Sequence, residues 1–128
     1  MDKKSEPFVF VALDYDSQTE NMEFATEVAS SVKSDRYGFK VNLDTVTNFD
    51  HMSDRPYDFI SGLQALEKDI FVDLKMWNGG RTMANIAKGC AELNVNFINA
   101  YPHAGERFFR KILGVIQGSN TQLLGLTV

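Results

Sequence analysis

Five short runs rich in Val, Ile, Phe and Leu punctuate the chain: "FVFVALD" (8–14), "YGFKVNLD" (37–44), "IFVDLKM" (70–76), "VNFINA" (95–100) and "QLLGLTV" (122–128). Each is shorter than a buried helix usually is and dense in β-branched or aromatic residues, so each is predicted to be a strand. Between them the apolar residues change to helical spacing. In "ENMEFATEVASSVKSD" Met22, Ala25, Ala29 and Val32 share a face behind Ser17 or Thr19 as cap, and in "DFISGLQALEKD" Phe59, Ile60, Leu63 and Leu66 form a stripe behind Asp58. "TMANIAKGCAELN" repeats the pattern after Thr82, with Asn94 at its end, and "GERFFRKILGVIQGSN" repeats it before Gly118. Strand and helix thus alternate every ~25–33 residues, the pattern of βαβ units with right-handed crossovers and so of a parallel sheet. The one long irregular connection, "TVTNFDHMSDRP" (45–56), is polar, ends on Pro56 and is predicted to be a surface loop or lid. With no linker or low-complexity segment between these units, residues 1–128 are expected to form one domain.

Strand side chains alternate, so residues two apart share a face. In the third run Phe71, Asp73 and Lys75 oppose Ile70, Val72, Leu74 and Met76; in the second, Lys40, Asn42 and Asp44 oppose Phe39, Val41 and Leu43. In the first, Asp14 lies with Phe10 and Ala12, opposite Val9, Val11 and Leu13. Every strand therefore offers one apolar face to helices, while neighbouring strands carry charges on the other. A doubly wound sheet would press helices onto those charges, at several kcal/mol for each one left unpaired. A barrel lumen opening at the C-terminal ends of the strands accommodates them better, with Asp14, Lys40, Asp73 and Lys75 placed to form an alternating Lys/Asp chain in one pocket.

Composition narrows the chemistry further. At 128 residues, 44% hydrophobic and 23% charged, the chain has the make-up of an ordinary globular protein able to bury a core. A net charge of -4 with scattered Lys and Arg offers no basic field, so neither nucleic acid nor an anionic membrane is an expected partner. A lone cysteine, Cys90, forms no internal disulfide, and no Cys/His cluster has metal-ligand spacing. The charged start "MDKKSEPFVF" is neither a secretion signal nor a membrane span, so a cytoplasmic location is expected. "NGGRT" reads as a tight turn into a helix, whose first N–H groups are also able to attract an anion.

"VALD" closing the first strand, "GFKVNLD", "VDLKMWNGGRTM" and "LLGLTV", in this order, resemble the orotidine 5'-monophosphate decarboxylases, within the suprafamily that also holds 3-keto-L-gulonate 6-phosphate decarboxylase. The likeness runs over nearly the whole chain and corresponds to the first half to three-fifths of the family's barrel. It implies an α/β fold, an incomplete (β/α)8 TIM-type barrel of about five parallel strands and four helices. It also implies a carboxy-lyase of pyrimidine biosynthesis that converts orotidine 5'-monophosphate to uridine 5'-monophosphate and CO2, works as a homodimer and needs no metal or organic cofactor. By resemblance, Asp14 binds the ribose, Lys40 lies between Asp14 and Asp73, and Asp73 sits against the substrate carboxylate. Lys75 stabilises the developing carbanion and delivers its proton, and Thr82 reaches a ribose hydroxyl across the dimer interface.

Two departures from the family pattern stand out. Where the family has a second Asp three residues after the Lys, this chain has Asn78, and the strands that would follow the fifth, with the Arg that grips the substrate phosphate, are absent from these residues. Remote phosphate binding supplies energy used at the reacting centre, so weak or absent turnover is expected. An open edge on "LLGLTV" is expected to drive self-association, most simply as a two-fold dimer. Two alternatives stay open: a metal-dependent sugar-phosphate lyase of the 3-keto-L-gulonate 6-phosphate decarboxylase group, and a catalytically silent, truncated barrel that serves as a binding or assembly module.

Overall fold

The computed structural model describes residues 6–47, 56–75 and 79–126. Five strands, β1 (Val9–Ala12), β2 (Tyr37–Asn42), β3 (Asp69–Asp73), β4 (Phe97–Ala100) and β5 (Gln122–Gly125), pair in chain order, β1-β2-β3-β4-β5, and every pairing is parallel. The crossovers carry α1 (Gln18–Ser31), α3 (Pro56–Gln64), α4 (Gly80–Glu92) and α5 (Glu106–Ile116), with a single turn, α2 (Asp44–Thr47), after β2. A doubly wound sheet would reverse strand order at a switch point; an unbroken sequential order is that of a (β/α)8 barrel, here in its incomplete form.

The helices lie on one face only. Phe39, Val41, Ile70, Val72 and Ile98 from the strands form one buried cluster with Ala25, Ile60, Leu63, Ala87, Cys90 and Ile112 from the helices. Phe39, Val41, Ile70 and Val72 all have the parity assigned to the apolar face by alternation. On the opposite face Phe10 meets Phe71 across β2, with ring centroids 5.3 Å apart, and reaches Phe97 at 5.6 Å, so β1, β3 and β4 contribute an aromatic layer. β2 carries a glycine opposite Phe10, and backbone spacing requires it: a Cβ at Gly38 would stand 2.5 Å from the Asp69 carbonyl oxygen.

Local signals explain most element ends, and several fall elsewhere than expected, β1 stopping at Ala12 and β3 at Asp73 among them. Of the two candidate caps of α1 it is Ser17 that takes the position, its Oγ accepting from Glu20 N–H at 3.0 Å. That helix stops at Ser31, leaving Val32 as a 43% exposed cap rather than part of the buried stripe. Asp44 opens α2 instead of extending β2, because the backbone turns after Asn42. α4 starts at Gly80, with Gly79 as its cap and no side-chain cap bond, so Thr82 lies in its first turn rather than before it. Asn94, at φ 60°, supplies the left-handed residue that ends α4, and Pro56 occupies the first position of α3, where its missing N–H costs nothing. Most of the expected loop or lid at 45–56, with His51, lies outside the described residues, as do Trp77 and Asn78.

Candidate active site

Above the aromatic layer, at the C-terminal ends of β1 to β4, the same face turns polar. Register sets Asn42 beside Asp73, and two residues past the end of β3 the chain brings Lys75 back to the same carboxylate. Asp73 is 5% exposed and its carboxylate is fully engaged. Oδ2 takes the Lys75 ammonium at 2.9 Å and the Lys40 ammonium at 3.4 Å, and Oδ1 accepts from the Asn99 side-chain amide at 2.9 Å. Lys40 also donates to Asn42 Oδ1 at 3.4 Å, and Asn42 Nδ2 donates to Asp14 Oδ1 at 2.8 Å. The order in space is therefore Asp14, Asn42, Lys40, Asp73, Lys75, in which two carboxylates alternate with two ammonium groups and an amide joins the first pair.

Burial alone would raise the Asp73 carboxyl, but the hydrogen bonds from Lys75 and Asn99 and the charges of Lys75 and Lys40 together outweigh it and hold the group below the ordinary carboxylate range. The Lys75 ammonium is pushed the other way, upward, first by its bond to Asp73 and then by the charge of that carboxylate, with smaller contributions from Tyr101 and Asp14. Both groups are thus charged at neutral pH. The depressed Asp73 gives a definite acid dependence. Its stabilising contribution is present above the unfolded carboxylate value of about 3.9 and is lost as pH falls through the lower folded value. Urea midpoints measured from pH 6 downward are expected to fall more steeply below about pH 4 in the unsubstituted chain than in Asp73→Asn. Parallel curves would refute the depression.

Alternation and chain order placed Asp14, Lys40, Asp73 and Lys75 on one face, and the geometry joins them. It does not join Asp14 to Lys40 directly; Asn42 stands between. Asn99 joins them from β4, a partner that its residue type within an apolar run does not announce. Thr82 is exposed in the first turn of α4 and takes no part in the network among the described residues. Tyr101 follows β4, and its ring meets that of His103 at a tilt of 55°, with centroids 5.3 Å apart, at the one-turn 3-10 helix Pro102–Ala104. Cys90 is buried under the helices, its thiol pushed up to about 12 by desolvation, which makes it an inert core residue. Among the described residues no group of three His, Cys, Asp or Glu side chains is placed to hold a metal ion, and no helix is long and apolar enough to cross a membrane.

The sequence pattern of the orotidine 5'-phosphate decarboxylase / HUMPS family matches residues 7–128. The chain belongs to that family. Among curated relatives, the orotidine 5'-phosphate decarboxylase of Psychromonas ingrahamii is 28% identical over 126 residues and that of Vibrio cholerae 30% over 127. Each alignment takes in 97% of this chain but only 50% and 51% of the relative, so the chain spans about half the length of the decarboxylases it matches. The fold agrees: an orotidine 5'-phosphate decarboxylase from Lactobacillus acidophilus superposes with a TM-score of 0.65 at 24% identity, covering 95% of this chain and 53% of that one. A type I 3-dehydroquinate dehydratase from Clostridium difficile superposes at 0.69 with 9% identity, covering 91% of this chain and 48% of that one, which speaks for the barrel architecture alone.

Proposed function

We propose that this chain carries the charged strand set of an orotidine 5'-phosphate decarboxylase and that this set acts on orotidine 5'-monophosphate, at a rate below that of full-length relatives. The observation that carries the reading is the buried Asp73 carboxylate, 5% exposed and bonded to Lys75 at 2.9 Å on one strand face of a barrel lumen. A fixed carboxylate in a site of low dielectric repels the substrate carboxylate, and an ammonium beside it attracts charge developing on the pyrimidine ring. The C6–carboxyl bond breaks, CO2 leaves, the electron pair stays on C6, and a proton passes from Lys75 Nζ to C6. Lys75 is half exposed and regains its proton from water. Lys40 holds Asp73 ionised, and Asp14, oriented by Asn42, faces the ribose. Thr82, exposed on α4, is assigned the ribose hydroxyl of a neighbouring subunit's substrate.

Incubating micromolar protein with orotidine 5'-monophosphate, with and without a metal chelator, tests the reading. Uridine 5'-monophosphate is expected to accumulate in both arms. Magnesium-dependent turnover of 3-keto-L-gulonate 6-phosphate, with none of orotidine 5'-monophosphate, would move the assignment to the sugar-phosphate lyase side of the family, and no product from either at stoichiometric protein would leave a binding or assembly module. That second reading draws on the half-length match, since the other half of the relatives has no counterpart in these 128 residues to hold a phosphate.

Self-association is the partner the surface favours. Among the described residues β1 and β5 are the sheet's edges, and Val9, 54% exposed, and Leu124, 38% exposed, lie on them. Covering such edges with a second copy, most simply as a homodimer, removes a template for uncontrolled strand addition. Light scattering after size exclusion is expected to give twice the chain mass at micromolar concentration; a stable, soluble monomer there would rule the dimer out.

A further inference from the structure

We propose that Asn99 is a positioning residue for the Asp73/Lys75 pair, a clamp from β4 that fixes the carboxylate and the backbone between the two charged groups at once; this rests on the decarboxylase reading for its kinetic consequences. Paired Cα registers between β3 and β4 run only as far as Val72 and Ile98. One step beyond, the Asn99 side chain takes over from the ladder: its Oδ1 accepts from the Leu74 N–H at 2.6 Å, and its Nδ2 donates to Asp73 Oδ1 at 2.9 Å. The amide can face only one way, because the reverse would set oxygen against carboxylate and NH2 against N–H. At 4% exposure water does not compete for either bond.

The consequence lies in how the Asp73 oxygens are divided. Asn99 holds Oδ1, which leaves Oδ2 to both lysines. Without that donor the carboxylate turns about its χ2 and offers both oxygens to the cations, and where the whole side chain is removed Leu74, the residue that joins Asp73 to Lys75, also loses its backbone hydrogen bond to β4. Lys75 is the group that moves, since it is half exposed and held chiefly by Asp73. A misplacement of about 1 Å at a reacting group costs on the order of 10²-fold in rate with little change in ground-state affinity.

Asn99→Asp separates positioning from mere packing. It keeps the shape and the oxygen that accepts from Leu74, and exchanges only the donor to Asp73 for a second carboxylate. Two carboxylates in contact repel while both are ionised, and the proton that the pair takes up as pH falls is shared between them and rebuilds the bridge. Asn99→Asp is expected to lose on the order of 10²-fold in kcat at neutral pH with KM nearly unchanged, and to recover as the pH is lowered. Asn99→Ala is expected to lose a similar factor without that recovery. Carboxyl-carbon NMR titration of Asp73 gives a readout independent of turnover, and its midpoint is expected to rise in both variants. If the unsubstituted chain does not turn over orotidine 5'-monophosphate, the decarboxylase reading fails while the titration still decides the clamp. An Asp73 titration in Asn99→Asp that matches the unsubstituted chain, or a pH–rate profile parallel to it, would overturn the proposal.

Discussion

Lys75→Ala is expected to lower turnover of orotidine 5'-monophosphate by at least about 10³-fold in a chain that still folds. Two effects fall on one side chain. A positioned proton donor contributes about 10²–10⁴-fold, and a preorganised charge facing developing negative charge contributes about 10²–10³-fold; acting through the same ammonium, they overlap and do not multiply. Lys40 cannot substitute, since its ammonium is already bonded to Asn42 and Asp73. Lys75→Arg is not expected to rescue the rate, because a guanidinium gives up its proton far less readily and is shaped to bind a carboxylate with two bonds. It would lock onto Asp73. The chain still folds because Lys75 is half exposed and outside the buried cluster and Asp73 keeps Lys40 and Asn99 as partners, so the stability lost is only the part of the Asp73 contribution that Lys75 supplies. Single-turnover measurements with protein in excess over substrate decide the matter. A Lys75→Ala chain within tenfold of the unsubstituted rate would remove this lysine from the chemistry.

Asp73 and Lys75 were legible in the sequence because alternation is a strict rule: once 70–76 is a strand, the parity of each side chain follows, and the charged face cannot be confused with the apolar one. Lys40 and Asp14 were legible for the same reason, since parallel βαβ units in chain order put their strands side by side. What remained hidden depends on register. Whether Asn42 or Lys40 stands nearest Asp14 is settled by Ala12 pairing with Lys40, a detail that no residue type announces. Asn99 stayed out of sight because a neutral amide in an apolar run is unremarkable until a carboxylate is placed 2.9 Å away. Helix boundaries slipped where a cap lacks a side chain, as at Gly79, or where the backbone turns at a residue with no breaker, as at Asp44. The family pattern and the half-length match settle descent, but Asn78, the residue that departs from the family's second carboxylate, lies outside the described residues and so has no geometry to weigh.

Phe39→Ala is expected to cost about 3–5 kcal/mol, a large part of the roughly 5–15 kcal/mol that holds a small domain together. Phe39 is 0% exposed on the helix-bearing face of β2, paired in register with Ile70 and edge-on to Tyr37 at 5.8 Å between ring centroids. Removing the ring forfeits its transfer from water and leaves a cavity in a layer made of rigid strand residues, which cannot collapse to fill it. Phe71 makes the opposing test. It neighbours Lys40 in register but lies on the lumen side, only partly buried, with Phe10 as its ring partner at 5.3 Å. Since burial energy scales with the area removed from water, Phe71→Ala is expected to cost about half as much. The damage should also differ in kind. Phe39→Ala loosens β2 against the helices and with it the bearing of Lys40, whereas Phe71→Ala leaves that packing intact and deepens the lumen below the charges. Urea unfolding followed by far-ultraviolet circular dichroism measures both. An equal or larger loss for Phe71→Ala would mean that the lumen layer, and not the helix-bearing face, is the principal core, and that a second copy or further chain seals the lumen in solution.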